Sequence, residues 1–191
     1  MCTAMNVVQT AIPGVLVIEP TVFTDSRGFF LELYRVDRYA TCGGDHSFVQ
    51  DNLSRSAKGV LRGLHFQNPR PQGKLVTVVR GSVFDIAVDV RVGSPSFGAH
   101  VSVELNDENR RQVWIPRGFA HGFVVRSDTA DIFYKCDEIY SPAHEIALRW
   151  DEPKLAINWG CDEPTVSERD SKGRTLAQLA QEGLLPKYSA G

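Results

Sequence analysis

GVLRGLHFQNPRPQGK, residues 59 to 74, is the stretch from which the rest of the chain can be read. Its first half alternates, with Val60, Arg62, Leu64 and Phe66 on one side of an extended strand and Leu61, Gly63, His65 and Gln67 on the other. Asn68, Pro69, Arg70, Pro71, Gln72 and Gly73 then break the strand, and Lys74 starts the next one. The pattern predicts a hairpin that brings Arg62, His65 and Lys74 close together. An imidazole exchanges a proton near neutral pH, a guanidinium grips phosphate in bidentate fashion, and an ammonium stabilises negative charge as it develops. Taken singly, His65 reads as a polar niche in a barrel wall and the two cations as solvated. Taken together among prolines and glycines, the three point towards a site.

Working outward, the alternation stays clean. Lys74 to Arg80 pairs through Gly81 and Ser82 with Val83 to Arg91, where Phe84, Ile86, Val88 and Val90 lie on one face and Asp85 and Asp89 on the other. Upstream, strands are predicted over Val15 to Phe23, Gly28 to Tyr34 and Phe48 to Asn52. The second puts Glu32 among aromatics, and the third puts Gln50 and Asn52 on one face. A short helix is expected over Val36 to Thr41, ended by Gly43 and Gly44. Downstream, Gly98 to Leu105, Gln112 to Ile115, the segment reaching Val125, Ala130 to Asp137, Glu145 to Trp150 and Ala156 to Trp159 complete the set. Roughly ten short strands at regular spacing predict an all-β, double-sheet jelly roll with a few short peripheral helices. The last of these helices spans Arg174 to Gln181 and stops at Gly183.

Composition narrows the function. The 191 residues are read as a single domain over 1–191, large enough to hold a core without disulfides. The 21 basic and 23 acidic residues leave a net charge of −2, which gives no global attraction to nucleic acid or to an anionic membrane. Apolar runs fall far short of the ~20 residues needed to cross a bilayer. The N-terminus lacks the basic start and apolar core of a signal peptide. Cys2, Cys42, Cys136 and Cys161 are scattered, which suits a reducing cytoplasm and argues against a disulfide or metal framework.

Further candidates lie outside the opening stretch. Pro116-x-Gly118-x-x-His121 resembles the second motif of the cupins, small jelly-roll barrels whose first motif often supplies metal ligands. Here His65 is followed two places on by Gln67, and His46, His100 and His144 are isolated, so converging ligands for a metal are not expected. His121 is as readily a hydrogen-bonded core histidine as a functional one. Tyr134 and Tyr140, in IFYKCDEIYSP, read as packing or as a proton donor and a cover for a flat ligand. Asp170 and Lys172 fall in a polar loop before the final helix.

The run from Asp51 to Gly98 together with IPRGFAHGFVV, FYKCDEIYSP and SERD resembles the dTDP-4-dehydrorhamnose 3,5-epimerases, and the likeness covers nearly the whole chain. It implies a metal-free cupin jelly roll without a cofactor, a homodimer exchanging N-terminal strands, and a dTDP-linked 4-keto-6-deoxyhexose as substrate. By this resemblance His65 matches the base, Asp170 its orienting carboxylate, Tyr134 the proton donor and Lys74 the group near the C4 oxygen. Arg27, Glu32, Gln50, Asn52, Arg62, His121, Tyr140, Glu145 and Lys172 match ligand contacts, with Arg27 and Arg62 on the diphosphate. The alternatives are an epimerase acting at C3 or C5 alone, a 3,4-ketoisomerase of nucleotide sugars, and a non-catalytic cupin that binds nucleotide sugar.

Overall fold

A computed structural model describes residues 5–40 and 47–189. In chain order the strands are β1 (Asn6–Gln9), β2 (Leu16–Glu19), β3 (Val22–Asp25), β4 (Gly28–Leu31), β5 (Gln50–Ala57), β6 (Leu61–Gln67), β7 (Lys74–Arg80), β8 (Ser82–Asp89), β9 (His100–Asn106), β10 (Gln112–Ile115), β11 (Phe119–Val125), β12 (Thr129–Cys136) and β13 (Glu145–Ala147). Three short helices accompany them, α1 (Val36–Tyr39), α2 (Glu168–Ser171) and α3 (Leu176–Gln181). One sheet has the order β1-β2-β10-β7-β12-β5 and the other β13-β6-β11-β8-β9, while β3 and β4 form a separate two-stranded ribbon.

Side-chain period explains the layering. Val76, Val78, Val113 and Ile132 from the first sheet meet Val83, Ala87, Leu105 and Phe123 from the second in one buried cluster, which makes the molecule a jelly roll. The opposite face of the second sheet, carrying Leu64, Phe66, Ile86 and Val88, is covered by Leu176 and Leu179 of α3 together with Leu155 and Trp159. Leu179 is fully buried there, and α3 is held at its start by Thr175 and Gln178 in a reciprocal capping box.

Two pairings and several boundaries differ from the sequence reading: β7 lies in one sheet and β6 and β8 in the other, so the expected hairpins at 59–74 and 74–91 are instead crossings between the two layers. Val15 to Phe23 is two strands, β2 and β3, interrupted at Pro20, which has no N–H to give a ladder. The strand from Gly28 ends at Leu31, so Glu32 lies beyond it. The third strand begins at Gln50 instead of Phe48 and runs on to Ala57. Its inward residues Gln50, Asn52, Ser54 and Ser56 are all polar, so no hydrophobic alternation marks its continuation past Asn52. The first helix is confined to Val36–Tyr39, and the expected end at Thr41, Gly43 and Gly44 lies outside the described residues. Ala156 to Trp159 is not a strand; Ala156 takes φ 48°, a conformation incompatible with extended pairing.

Candidate functional site

The site begins at a fault in the pairing of β6. Gly63 has φ 127°, and a Cβ on it would stand 2.5 Å from Gly122 Cα on β11, so only glycine fits. The register shifts at this contact: His121 lies opposite His65, but Phe123 lies opposite Arg62. Two steps along β11 therefore match three along β6. Strict alternation assigned Arg62 and His65 to opposite faces; the slip corrects this and turns both towards one cavity. Leu61 and Leu64, also expected on opposite faces, share the outer cluster for the same reason.

That cavity has a volume of about 490 Å³, within the ~300–1,000 Å³ usual for small-molecule sites. Arg62 and His65 from β6, Lys74 from β7, His121 from β11, Tyr134 from β12 and Asp170 from α2 all line it. Asp170 is placed by the helix start: the Ser167 hydroxyl accepts from the Asp170 N–H at 3.1 Å. Its Oδ1 is 2.6 Å from His65 Nε2, and Gly63 N–H points at Oδ2 from 3.5 Å. Burial pushes the Asp170 carboxyl up, but the hydrogen bond and charge of His65, aided by Gly63 and Ser167, outweigh it and hold the group below the ordinary 3.8. An ionised Asp170 only accepts, so His65 Nε2 carries the proton and Nδ1 is the basic nitrogen.

Opposite this pair, Tyr134 has its hydroxyl pKa raised by burial first and by Cys136 and Glu145 next, against a lowering by Arg62. It is a neutral phenol able to donate. Lys74 is pushed down by desolvation, partly offset by Cys136, Glu145 and Asp85, and its ammonium has no hydrogen bond or ion pair among the described residues. Arg62 donates Nε to the Ser56 hydroxyl at 2.9 Å, which leaves its terminal nitrogens for a ligand. His121 Nε2 sits 2.8 Å from Asp85 Oδ2, both buried, so a second His–Asp pair faces the first.

Four other predicted residues are linked to the cavity lining through His65, Tyr134 and one another. Glu145 Oε1 is 3.7 Å from His65 Nδ1, and its second oxygen takes an ion pair from Arg169 at 2.6 Å and a hydrogen bond from the Tyr140 hydroxyl. Gln50 donates to Asn52 at 2.9 Å and accepts from the Tyr140 N–H at 2.7 Å, while Asn52 pairs across from Tyr134. Three predicted residues are not brought to the cavity within this chain. Arg27 pairs with Asp25 at 2.5 Å on the exposed β3–β4 turn, Glu32 holds Arg38 at 3.0 Å, and Lys172 pairs with Glu168 at 2.6 Å in solvent. The cation that α2 does contribute is Arg169. It stands beside Asp170 in SERD, and the turn of helix that separates it from Lys172 was not visible in a segment read as a loop. Asp85 is legible from sequence only as lying on the strand face opposite Phe84, Ile86, Val88 and Val90; its pairing with His121 is not. Among the described residues no three His, Cys, Asp or Glu side chains converge as metal ligands.

Comparison with known proteins adds the chemistry. Residues 9–178 match the family profile described as dTDP-4-dehydrorhamnose 3,5-epimerase. A protein of that name from Pseudomonas aeruginosa is 51% identical over 91% of this chain and 97% of its own. A crystal structure of a dTDP-6-deoxy-D-glucose-3,5-epimerase from Legionella pneumophila, in complex with dTDP-4-keto-L-rhamnose, superposes with a TM-score of 0.94. It is 49% identical, over 97% of this chain and 100% of that one. A dTDP-4-dehydrorhamnose 3-epimerase from Streptomyces niveus is 43% identical over 97% of this chain and 90% of its own.

Proposed function

The chain belongs to the dTDP-4-dehydrorhamnose 3,5-epimerase family, and from that membership we propose how its cavity divides the work of inversion. The protein is an isomerase that converts dTDP-4-keto-6-deoxy-D-glucose into dTDP-4-keto-L-rhamnose by inverting C3 and C5. Both carbons adjoin the C4 ketone, so removal of either proton gives an enolate whose charge rests on the C4 oxygen. His65 Nδ1 takes the proton from one face, and Tyr134 returns one to the other. Lys74 stands at the C4 oxygen, an oxyanion-type contribution of a few kcal/mol. Asp170 fixes the imidazole tautomer and steadies the imidazolium formed in the step. Arg62 takes the diphosphate; Gln50, Asn52, His121, Tyr140, Glu145 and Arg169 surround the nucleotide and sugar.

The observation that carries this reading is the 2.6 Å contact between His65 and Asp170 in the cavity that also holds Tyr134 and Lys74. We further propose that the protein acts as a homodimer of single-domain subunits. Phe29 and Phe30 on β4 are 58% and 68% exposed, too much apolar surface to leave in water. A ribbon laid across a neighbour would carry Arg27 and Glu32 to that neighbour's cavity.

Proton NMR of the substrate incubated with enzyme in deuterium oxide tests the assignment, with His65→Ala as control. Deuterium entering both C3 and C5 with formation of the L-lyxo product, lost in the control, is expected. Because one relative is named a 3-epimerase, exchange at a single carbon would instead assign a single-centre reaction, and retained exchange in the control would remove His65 as the base.

A further inference from the structure

Inverting two carbons with one base sets a condition that a single inversion does not. In each inversion a C–H bond breaks, its electron pair enters the enolate, and its proton goes to His65. Tyr134 then gives up its hydroxyl proton to form the new C–H bond on the opposite face. The sugar ends neutral, but His65 holds one proton too many and Tyr134 one too few. Before the second carbon reacts, a proton must leave His65 for water and another must reach Tyr134 from water. The side chain of His65 is only 24% exposed, and a sugar placed against it closes that direct path.

The surroundings of Nδ1 provide another path. Nε2 is committed to Asp170, while Nδ1 lies 3.7 Å from Glu145 Oε1. The other oxygen of Glu145 accepts from the Tyr140 hydroxyl, and Tyr140 is 42% exposed on the loop between β12 and β13. Arg169 holds the carboxylate between the imidazole and that loop. Building on the 3,5-epimerase reading, we propose that Glu145 and Tyr140 form the exit by which His65 discharges its proton to water between the two inversions. An imidazolium draws the carboxylate in to hydrogen-bond distance. Oε1 then takes the proton from Nδ1, the neutral carboxyl group is freed from Arg169 and rotates, and the proton is released from Oε1 to water beside Tyr140, which leaves His65 neutral and Glu145 ionised for the second abstraction. Glu145 thus acts as a proton relay as well as a ligand contact.

Glu145→Gln keeps the shape and removes the ability to accept a proton. Once- and twice-inverted sugars are followed by NMR in deuterium oxide, with and without added imidazole or acetate. The expected result is build-up of once-inverted sugar, the second inversion slowed ~10-fold or more relative to the first, and recovery as the small base is added. Tyr140→Phe, which keeps the ring, should show the same imbalance to a smaller degree and serves if the first variant folds poorly. Equal slowing of both inversions with no response to added base overturns the relay and leaves Glu145 as a ligand contact alone. Failure of the unsubstituted enzyme to invert two carbons is a separate outcome that overturns the 3,5-epimerase reading, and the relay with it.

Discussion

Lys74 and Asp170 stand in opposite relations to the stability of the fold. Desolvation lowers the Lys74 pKa from 10.5, so between that lowered value and 10.5 the unfolded chain binds more protons than the folded one. Stability gains with pH through that window, and below it the cost of burying the ammonium is felt in full. Lys74→Met should therefore raise Tm by about 2–4 °C, corresponding to roughly 1 kcal/mol. The same change should lower kcat about 100-fold or more, and calorimetry paired with a product assay checks both. Asp170 has the reverse sign: its folded pKa is depressed below 3.8, so its contribution is present above that value and is lost as pH falls through the folded one. Urea titrations should find Asp170→Asn less stable than the parent at pH 7, with the gap closing only as pH drops below about 3.8. At neutral pH its kcat should fall about 100-fold or more, since an amide no longer selects the tautomer with a free Nδ1.

At the scale of elements, the contact between β6 and β11 determines where the base points. Gly63→Ala meets Gly122 Cα and must also hold φ 127°, a combined cost of roughly 2–4 kcal/mol that a shift in urea midpoint would measure. Activity should fall further than stability accounts for, because relieving the clash rotates His65 away from Asp170. This contact also marks the limit of what could be read from sequence. The strands β7, β8 and β10 were legible because one of their faces is apolar and the period is clean. The candidates His65, Lys74 and Tyr134 could be placed on strands from the same pattern. That Arg62 joins them depends on a two-against-three register that no single strand contains. Likewise β5 is legible only as far as Asn52 because both of its faces are largely polar, and Arg169 is not legible because a four-residue helix leaves almost no periodic trace.

For the whole molecule, the ribbon of β3 and β4 makes a testable claim about where a complete cavity is assembled. If Arg27 serves the neighbouring subunit, Arg27→Ala and His65→Ala are each inactive alone but complement each other when mixed and allowed to exchange. Half of the dimers are then hybrids with one intact site in two, so activity should recover to about a quarter of the parent value. No recovery on mixing would place Arg27 in the service of its own chain. The join between His65 and Asp170 spans 105 residues of sequence. A ribosome making this protein delivers the base early and its orienting carboxylate only after the last strand of both sheets has been synthesised. Nascent chains therefore hold every strand of the barrel before they acquire the competent imidazole, and a product truncated ahead of α2 lacks both Asp170 and the α3 residues Leu176 and Leu179 that cover the second sheet.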